Sequence, residues 1–184
     1  MDRAVFVWVV EHRAGPLDPV FVGLGVVGYA GLLWLALAAL VVLRAGRPPF
    51  RTLAAAAIAV WGADLATLAI KAAVGRPRPF ETVPEADPLL AGTVGSSFPS
   101  GHAATSFAGA VILSYLVPRA APALLALAFA VAFSRVYVGV HYPADVLAGA
   151  ALGCVAGLAG TRLVRAPRSP GRGRPQRGGV RRGG

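Results

Sequence analysis

Residues 20–43 run for 24 positions without one charged side chain. At about 1.5 Å per residue, a helix over that stretch is about 36 Å long, enough to cross a hydrocarbon layer of about 30 Å. Four further apolar runs come after it. Residues 53–74 are interrupted only by Asp64 and, near the end, Lys71; residues 103–117 are shorter but extend through 100–102 as a capped first turn. Residues 123–140 carry Ser134 and Arg135 near their end, and residues 143–164 open on a proline suited to a first helical position. The composition agrees: 14% of residues are charged and the mean hydropathy is +0.65, against about 25% charged in a soluble domain. The expectation is an all-α polytopic membrane bundle of about five spanning helices. The single Cys excludes an internal disulfide framework and any zinc or iron–sulfur site built from cysteines.

The ends differ from this body. Residues 2–12 read as a short helix carrying Val5, Phe6, Trp8 and Val9, too short to span and suited to the interface. They do not show a charged region, apolar core and small-residue cleavage site in order, so a secretory signal is not expected. From Ala166 onward the chain is Arg, Gly and Pro with almost no apolar residue, so residues 166–184 are expected to be a disordered tail. That leaves residues 1–165 as the folded domain, with 1–14 as its interfacial helix. Of the 18 cations 17 are Arg, and eight lie after Thr161. Arg44, Arg47, Arg51, Arg119 and the tail fall on one side if the spans alternate. The positive-inside rule makes that side cytoplasmic. Anionic lipid is a sufficient partner for such a tail, and no nucleic acid is expected.

The same alternation gathers chemistry on the opposite face. Lys71, Arg76 and Arg78 close the second span, Ser100, Gly101 and His102 open the third, Ser134 and Arg135 end the fourth, and His141 and Asp145 open the fifth. A Lys, several Arg and two His with few carboxylates suit a multiply charged anion. Guanidinium offers paired donors that match phosphate oxygens, and ammonium supplies a compact charge. The free N–H groups at the helix start after Ser100 add further donors, with Gly101 allowing close approach.

Two histidines can divide a phosphoryl transfer. His141 and Asp145 are four residues apart at a helix start, a spacing that brings their side chains together. The carboxylate would orient His141 as the nucleophile. His102, with no carboxylate at a comparable distance, would protonate the leaving oxygen and later take a proton from water. The cations would stabilise the charge on the phosphoryl oxygens. This chemistry calls for no metal and no cofactor.

Three segments carry a family resemblance. Lys71-Ala-Ala-Val-Gly-Arg-Pro-Arg78-Pro79 has a Lys, six intervening residues and then an Arg-Pro pair. Pro99-Ser100-Gly101-His102 is a second signature. Ser134-Arg135, five residues, His141, three residues, Asp145 is the third. Together they resemble the type 2 phosphatidic acid phosphatase (PAP2) superfamily of membrane lipid phosphatases. The resemblance implies a phosphohistidine on His141, assistance from Asp145, protonation of the leaving group by His102, and phosphate held by Lys71, Arg78, Ser100, Gly101 and Arg135. Many membrane members have six spans, with the Lys-bearing signature ending the third. Here it ends the second, and the N-terminal helix would replace the missing span from the interface.

The expected activity is hydrolysis of a lipid phosphate monoester or diphosphate at the outer face of a plasma membrane, with richness in Arg, Ala and Gly and compact length favouring a bacterial one. Polyprenyl diphosphate comes slightly ahead of phosphatidylglycerophosphate and phosphatidic acid. Two alternatives stay open: a lipid phosphotransferase, which would share every signature, and a non-catalytic lipid-head-group binding or transport bundle, which would not need His141 with Asp145. The apolar runs disfavour a soluble vanadium-dependent haloperoxidase. Outside the signatures, Arg76 reads as an interfacial anchor. Asp64, seven residues before Lys71 on the same helix face, is expected to point into the bundle. The glycines at 149, 153, 157 and 160 suggest close helix packing.

Overall fold

The computed structural model describes residues 1–45, 49–90 and 93–165. Arg47 and the tail at 166–184 lie outside the described residues. Among the described residues there is no strand, and the chain forms eight α-helices: α1 (Asp2–Glu11), α2 (Asp18–Val27), α3 (Leu32–Ala45), α4 (Pro49–Val74), α5 (Pro79–Thr82), α6 (Gly101–Leu116), α7 (Ala121–Tyr137) and α8 (Pro143–Arg165). The helical membrane bundle read from the sequence is the fold observed.

Helix α6 is the axis of the bundle, packed against α3, α4, α7 and α8. Ala103, Ala104, Ala108 and Ala110 are wholly buried along it, and their small side chains let neighbouring backbones approach. Helix α8 uses this with the glycine stripe expected of it. A Cβ on Gly149 would lie 2.3 Å from the Ser100 carbonyl oxygen, and one on Gly153 would lie 2.3 Å from that of Ala104. The stripe therefore holds α8 directly on the α6 backbone and fixes the start of α8 beside the start of α6. On the outer faces, Ile58, Trp61, Leu65, Phe129, Leu147, Val155 and Leu158 are at least half exposed, as a lipid-facing surface requires.

Three stretches are long and apolar enough to cross a membrane: Phe50–Thr82, Pro118–Tyr137 and Pro143–Arg165. A fourth is counted if the bent pair Gly15–Val27 and Tyr29–Arg44 makes one span. The remaining expected span, the third in chain order, is α6, which at 16 residues is short for a crossing although it is the most enclosed helix.

The first span departs from expectation, because residues 20–43 are not one helix. The chain turns by 50° between α2 and α3, where Ala30 has φ +50° and Gly31 φ +71°. Apolar periodicity carries no signal for this break. Gly31 lets the chain turn close to α4, since a Cβ there would lie 2.2 Å from the Val60 side chain.

Helix α1 forms where expected. Phe6 is fully buried and meets Tyr142 edge-on at 5.5 Å between ring centroids. The chain after α1 is pinned to the end of α7, with Arg13 Nε donating to the Tyr137 carbonyl at 2.7 Å and the Tyr137 hydroxyl donating to Asp18 at 2.8 Å.

The α6–α8 packing is open to a direct test. Gly153→Ala should destabilise the protein by about 1–3 kcal/mol through overpacking, read as a fall in the thermal unfolding midpoint in detergent. Gly62→Ala, on a surface with nothing within 4 Å of the added Cβ, should cause no fall. Equal midpoints for the two variants would contradict the α6–α8 contact.

Candidate active site

At the end of the bundle where α4 finishes and α6 and α8 begin, a cavity of about 630 Å³ opens. Lys71, Arg78, Gly101, His102, Arg135 and His141 all line it. Helix α4 delivers Lys71, and the Gly75–Arg78 segment after it delivers Arg78. The start of α6 supplies Gly101 and His102, the end of α7 supplies Arg135, and the turn into α8 supplies His141. The two imidazoles thus share one chamber, as the sequence requires. Helix α2 closes a side of it with Gly25 and Val26, and Tyr29 adds to that side from the break before α3. A Cβ on Gly25 would overlap the Arg135 guanidinium, so any larger residue there would push that guanidinium aside.

The cations are positioned by main-chain oxygens. Arg78 donates through Nε to Gly95, through one terminal nitrogen to Val140 at 3.0 Å, and through the other to Val94 at 3.2 Å. It thereby ties the loop before α6 to the residue preceding His141. Lys71 Nζ donates to the carbonyls of Ser96 and Ser97. Arg135 donates to the Ser134 hydroxyl at 3.0 Å and reaches toward the Phe21 carbonyl. Two of the expected residues sit behind the cavity wall. Ser100 is fully buried, and its hydroxyl accepts from the Ala103 N–H as the N-cap of α6. Its structural contribution is therefore to the helix start that carries Gly101 and His102.

Asp145 is the other, and its surroundings are the densest polar network in the site. It is fully buried in the first turn of α8, where a carboxylate complements the helix dipole. One oxygen accepts from Arg76 at 2.6 Å, and the other accepts from the Tyr142 N–H at 2.9 Å. The second oxygen also faces His141 Nδ1 at 3.5 Å, an electrostatic contact longer than a formed hydrogen bond; Nδ1 has no hydrogen-bond partner. With Nδ1 facing the carboxylate, Nε2 is the nitrogen left for chemistry. Burial pushes the His141 imidazole down to about 4; Arg78 and Lys71 push the same way, and Asp145 opposes them. The ring is thus neutral near pH 7, the form a nucleophile needs.

Arg76 corrects the sequence reading. It is no lipid anchor but a bridge, with its second nitrogen on Asp2 at 2.7 Å and its guanidinium 4.1 Å from the centre of the Tyr142 ring. Asp2 also accepts from the Ala144 N–H at 2.9 Å, at the start of α8. Helix α1 is therefore joined to the carboxylate behind His141. The signal for Arg76 was its place just before Pro77 and Arg78. No local pattern singles out Asp2.

His102 Nε2 lies 3.1 Å from the Gly25 carbonyl, which can only accept, so Nε2 carries the proton in this contact. Asp64 points into the bundle, as expected, and lines a second cavity of about 140 Å³ with His102, Gly101, Thr105, Tyr29 and Ala30.

Comparison with known proteins identifies the family. The PAP2 superfamily matches residues 48–169, more than half of the chain, and the chain belongs to that superfamily. The decaprenylphosphoryl-5-phosphoribose phosphatase of Mycobacterium tuberculosis is 36% identical over 128 residues, covering 67% of each chain. The bacitracin transport permease protein BcrC of Bacillus licheniformis is 40% identical over 81 residues, 44% of this chain; the chain spans only 40% of that relative's length. Among solved structures, a transmembrane PAP2-type phosphatidylglycerolphosphate phosphatase from Bacillus subtilis superposes with a TM-score of 0.71 at 25% identity, covering 89% of this chain and 84% of that one.

Two measurements test this geometry. In ¹⁵N NMR of labelled imidazoles, His141 should stay neutral from pH 8 to about 5 and take up its proton near 4, where an ordinary histidine titrates at 6.5. Between those values the unfolded chain binds a proton that the folded chain refuses. His141 therefore contributes stability that is fully present above pH 6.5 and lost as the pH falls toward 4; a titration at or above 6.5 would contradict its burial. Arg76→Ala, which strips a buried carboxylate of its charged partner, should destabilise by about 2 kcal/mol. The usual loss for a buried pair is discounted here because Arg76 is 29% exposed. Asp2→Asn should cost less, and an Arg76→Ala protein as stable as the wild type would contradict the network.

Proposed function

We propose that this protein is a membrane lipid phosphatase acting through a covalent phosphohistidine on His141. The observation that carries the reading is the shared cavity: two imidazoles, one backed by a buried carboxylate and neutral at pH 7, stand among Lys71, Arg78 and Arg135. A head-group binding or transport bundle has use for the cations but none for the His141–Asp145 pair.

The positions support the following order of events. Lys71, Arg78 and Arg135 gather the phosphoryl oxygens, with amide donors from the start of α6 beside them. His141 Nε2 attacks phosphorus while the bond from phosphorus to the leaving oxygen breaks; His102, which takes up a proton from the incoming phosphate once that anion offsets the neighbouring cations, gives the proton to the leaving oxygen. The imidazolium character of the phosphorylated ring is balanced by Asp145. His102, now neutral, takes a proton from a water molecule whose oxygen attacks phosphorus. The N–P bond breaks, inorganic phosphate leaves, and both histidines return to their starting forms. No step calls for a metal ion.

The substrate class is a lipid bearing a phosphate monoester or diphosphate, reached from the membrane. Orientation is part of the proposal: the cavity faces the extracytoplasmic side of a bacterial plasma membrane, and the tail is cytoplasmic. Supporting this, Arg51 and Arg165 sit at the opposite end from the cavity, Arg51 donating to the Leu163 carbonyl and Arg165 lying 4.6 Å from the centre of the Tyr115 ring. A lipid phosphotransferase would differ only in the acceptor that replaces water.

Purified protein should release inorganic phosphate from lipid phosphates in the presence of a chelator, and His141→Ala and His102→Ala should each lower kcat by about 10³-fold or more. Undiminished release by either variant would remove that residue from its role. Release that needs added metal would contradict the mechanism, and transfer to a lipid or sugar acceptor without free phosphate would favour the transferase.

A further inference from the structure

Beside the catalytic chamber lies the 140 Å³ cavity, and His102 and Gly101 belong to the lining of both. Its remaining polar side chains are Asp64, Thr105 and Tyr29. Asp64 is seven residues before Lys71 on α4, so it lies about 10 Å deeper in the bundle than the cation that meets the phosphate. A carboxyl group at such depth is expensive unless it has a task. The opposite wall is also unusual. Tyr29 and Ala30 sit at the break between α2 and α3, where Ala30 adopts a left-handed backbone. Non-helical backbone at membrane depth persists where it lines a polar cavity. The carboxyl group and the break face the same space.

We propose that this cavity is a leaving-group subsite, in which Asp64 accepts hydrogen bonds from a hydroxyl-bearing linker between the scissile phosphate and the lipid tail. The proposal rests on the phosphatase reading above and narrows its substrate to a lipid whose phosphate is esterified to a polyol such as glycerol or a sugar. In-line displacement places the leaving oxygen on the side of phosphorus away from His141, where the acid His102 stands. The part of the substrate beyond that oxygen must pass His102, and the Asp64 cavity adjoins it on the side toward the membrane interior. The volume admits the few heavy atoms of a polyol. A carboxyl oxygen accepts from hydroxyls, as do the Thr105 and Tyr29 oxygens. A diphosphate substrate would instead bring its second phosphate toward this carboxyl group, with like charges in a poorly screened setting. The subsite therefore ranks polyol phosphates above polyprenyl diphosphate, reversing the order suggested by location alone.

The test is steady-state kinetics in mixed micelles with two matched lipids, phosphatidylglycerophosphate and its analogue lacking the free glycerol hydroxyl. The wild-type protein should favour the hydroxyl-bearing lipid at least tenfold in kcat/KM, and Asp64→Ala should bring that ratio close to one. Asp64→Asn, which keeps an accepting oxygen, should retain part of the preference. Equal kcat/KM for the two lipids in the wild type overturns the proposal, a result that needs no variant to fold. A loss in Asp64→Ala that is the same on both lipids also overturns it, pointing to a proton relay for His102. No phosphate from either lipid, nor from polyprenyl diphosphate, would overturn the phosphatase reading itself, so the two failures are distinguishable.

Discussion

A carboxylate with no access to solvent must be matched on every side, and the matching of Asp145 organises this protein. Arg76 supplies the charge, the Tyr142 amide supplies a neutral donor, and His141 stands against the remaining edge. The backbone carbonyl of Asp145 accepts from the Ser100 N–H at 2.9 Å. One residue thus joins the segment after α4, the start of α6 and the start of α8, which are the places that carry the three signatures. Through Arg76 and Asp2 it also holds α1, so a helix too short to span the membrane contributes to the catalytic end.

Around this centre the bundle uses two opposite devices. The α6–α8 contact is as close as backbones allow, because alanine and glycine remove the side chains between them. That closeness fixes His102 relative to His141, the distance on which a two-histidine mechanism depends. The first membrane stretch is loose by comparison. It breaks at Tyr29–Gly31, brings the Gly25 carbonyl to His102, and leaves room for a polar recess. Close packing on one side of His102 and an opening on the other suit the acid role proposed for it.

Much of this was legible in the sequence. The apolar runs marked the helices, because a membrane allows few other ways to satisfy backbone polar groups. The spacing of Lys71, Arg78, Ser100, His102, Arg135, His141 and Asp145 marked the chamber, because alternating spans bring those helix ends to one face. What escaped is non-local or depends on backbone conformation. Asp2 lies in no motif, and its importance appears only once α1 folds across α7 and α8. The break at Ala30 was hidden by uniform apolarity. The resemblance implies Ser100 as a phosphate ligand, and only the folded chain shows that its buried hydroxyl also caps α6.

The central claim is that His141 is the atom donor to phosphorus in a pocket formed by distant segments. A structure of the protein bound to vanadate, a mimic of the pentacoordinate phosphoryl centre, tests it most directly. The account predicts vanadium bonded to His141 Nε2, its oxygens held by Lys71, Arg78 and Arg135, with His102 opposite His141. Vanadate bonded to His102, or seated with no bond to either imidazole, would contradict it.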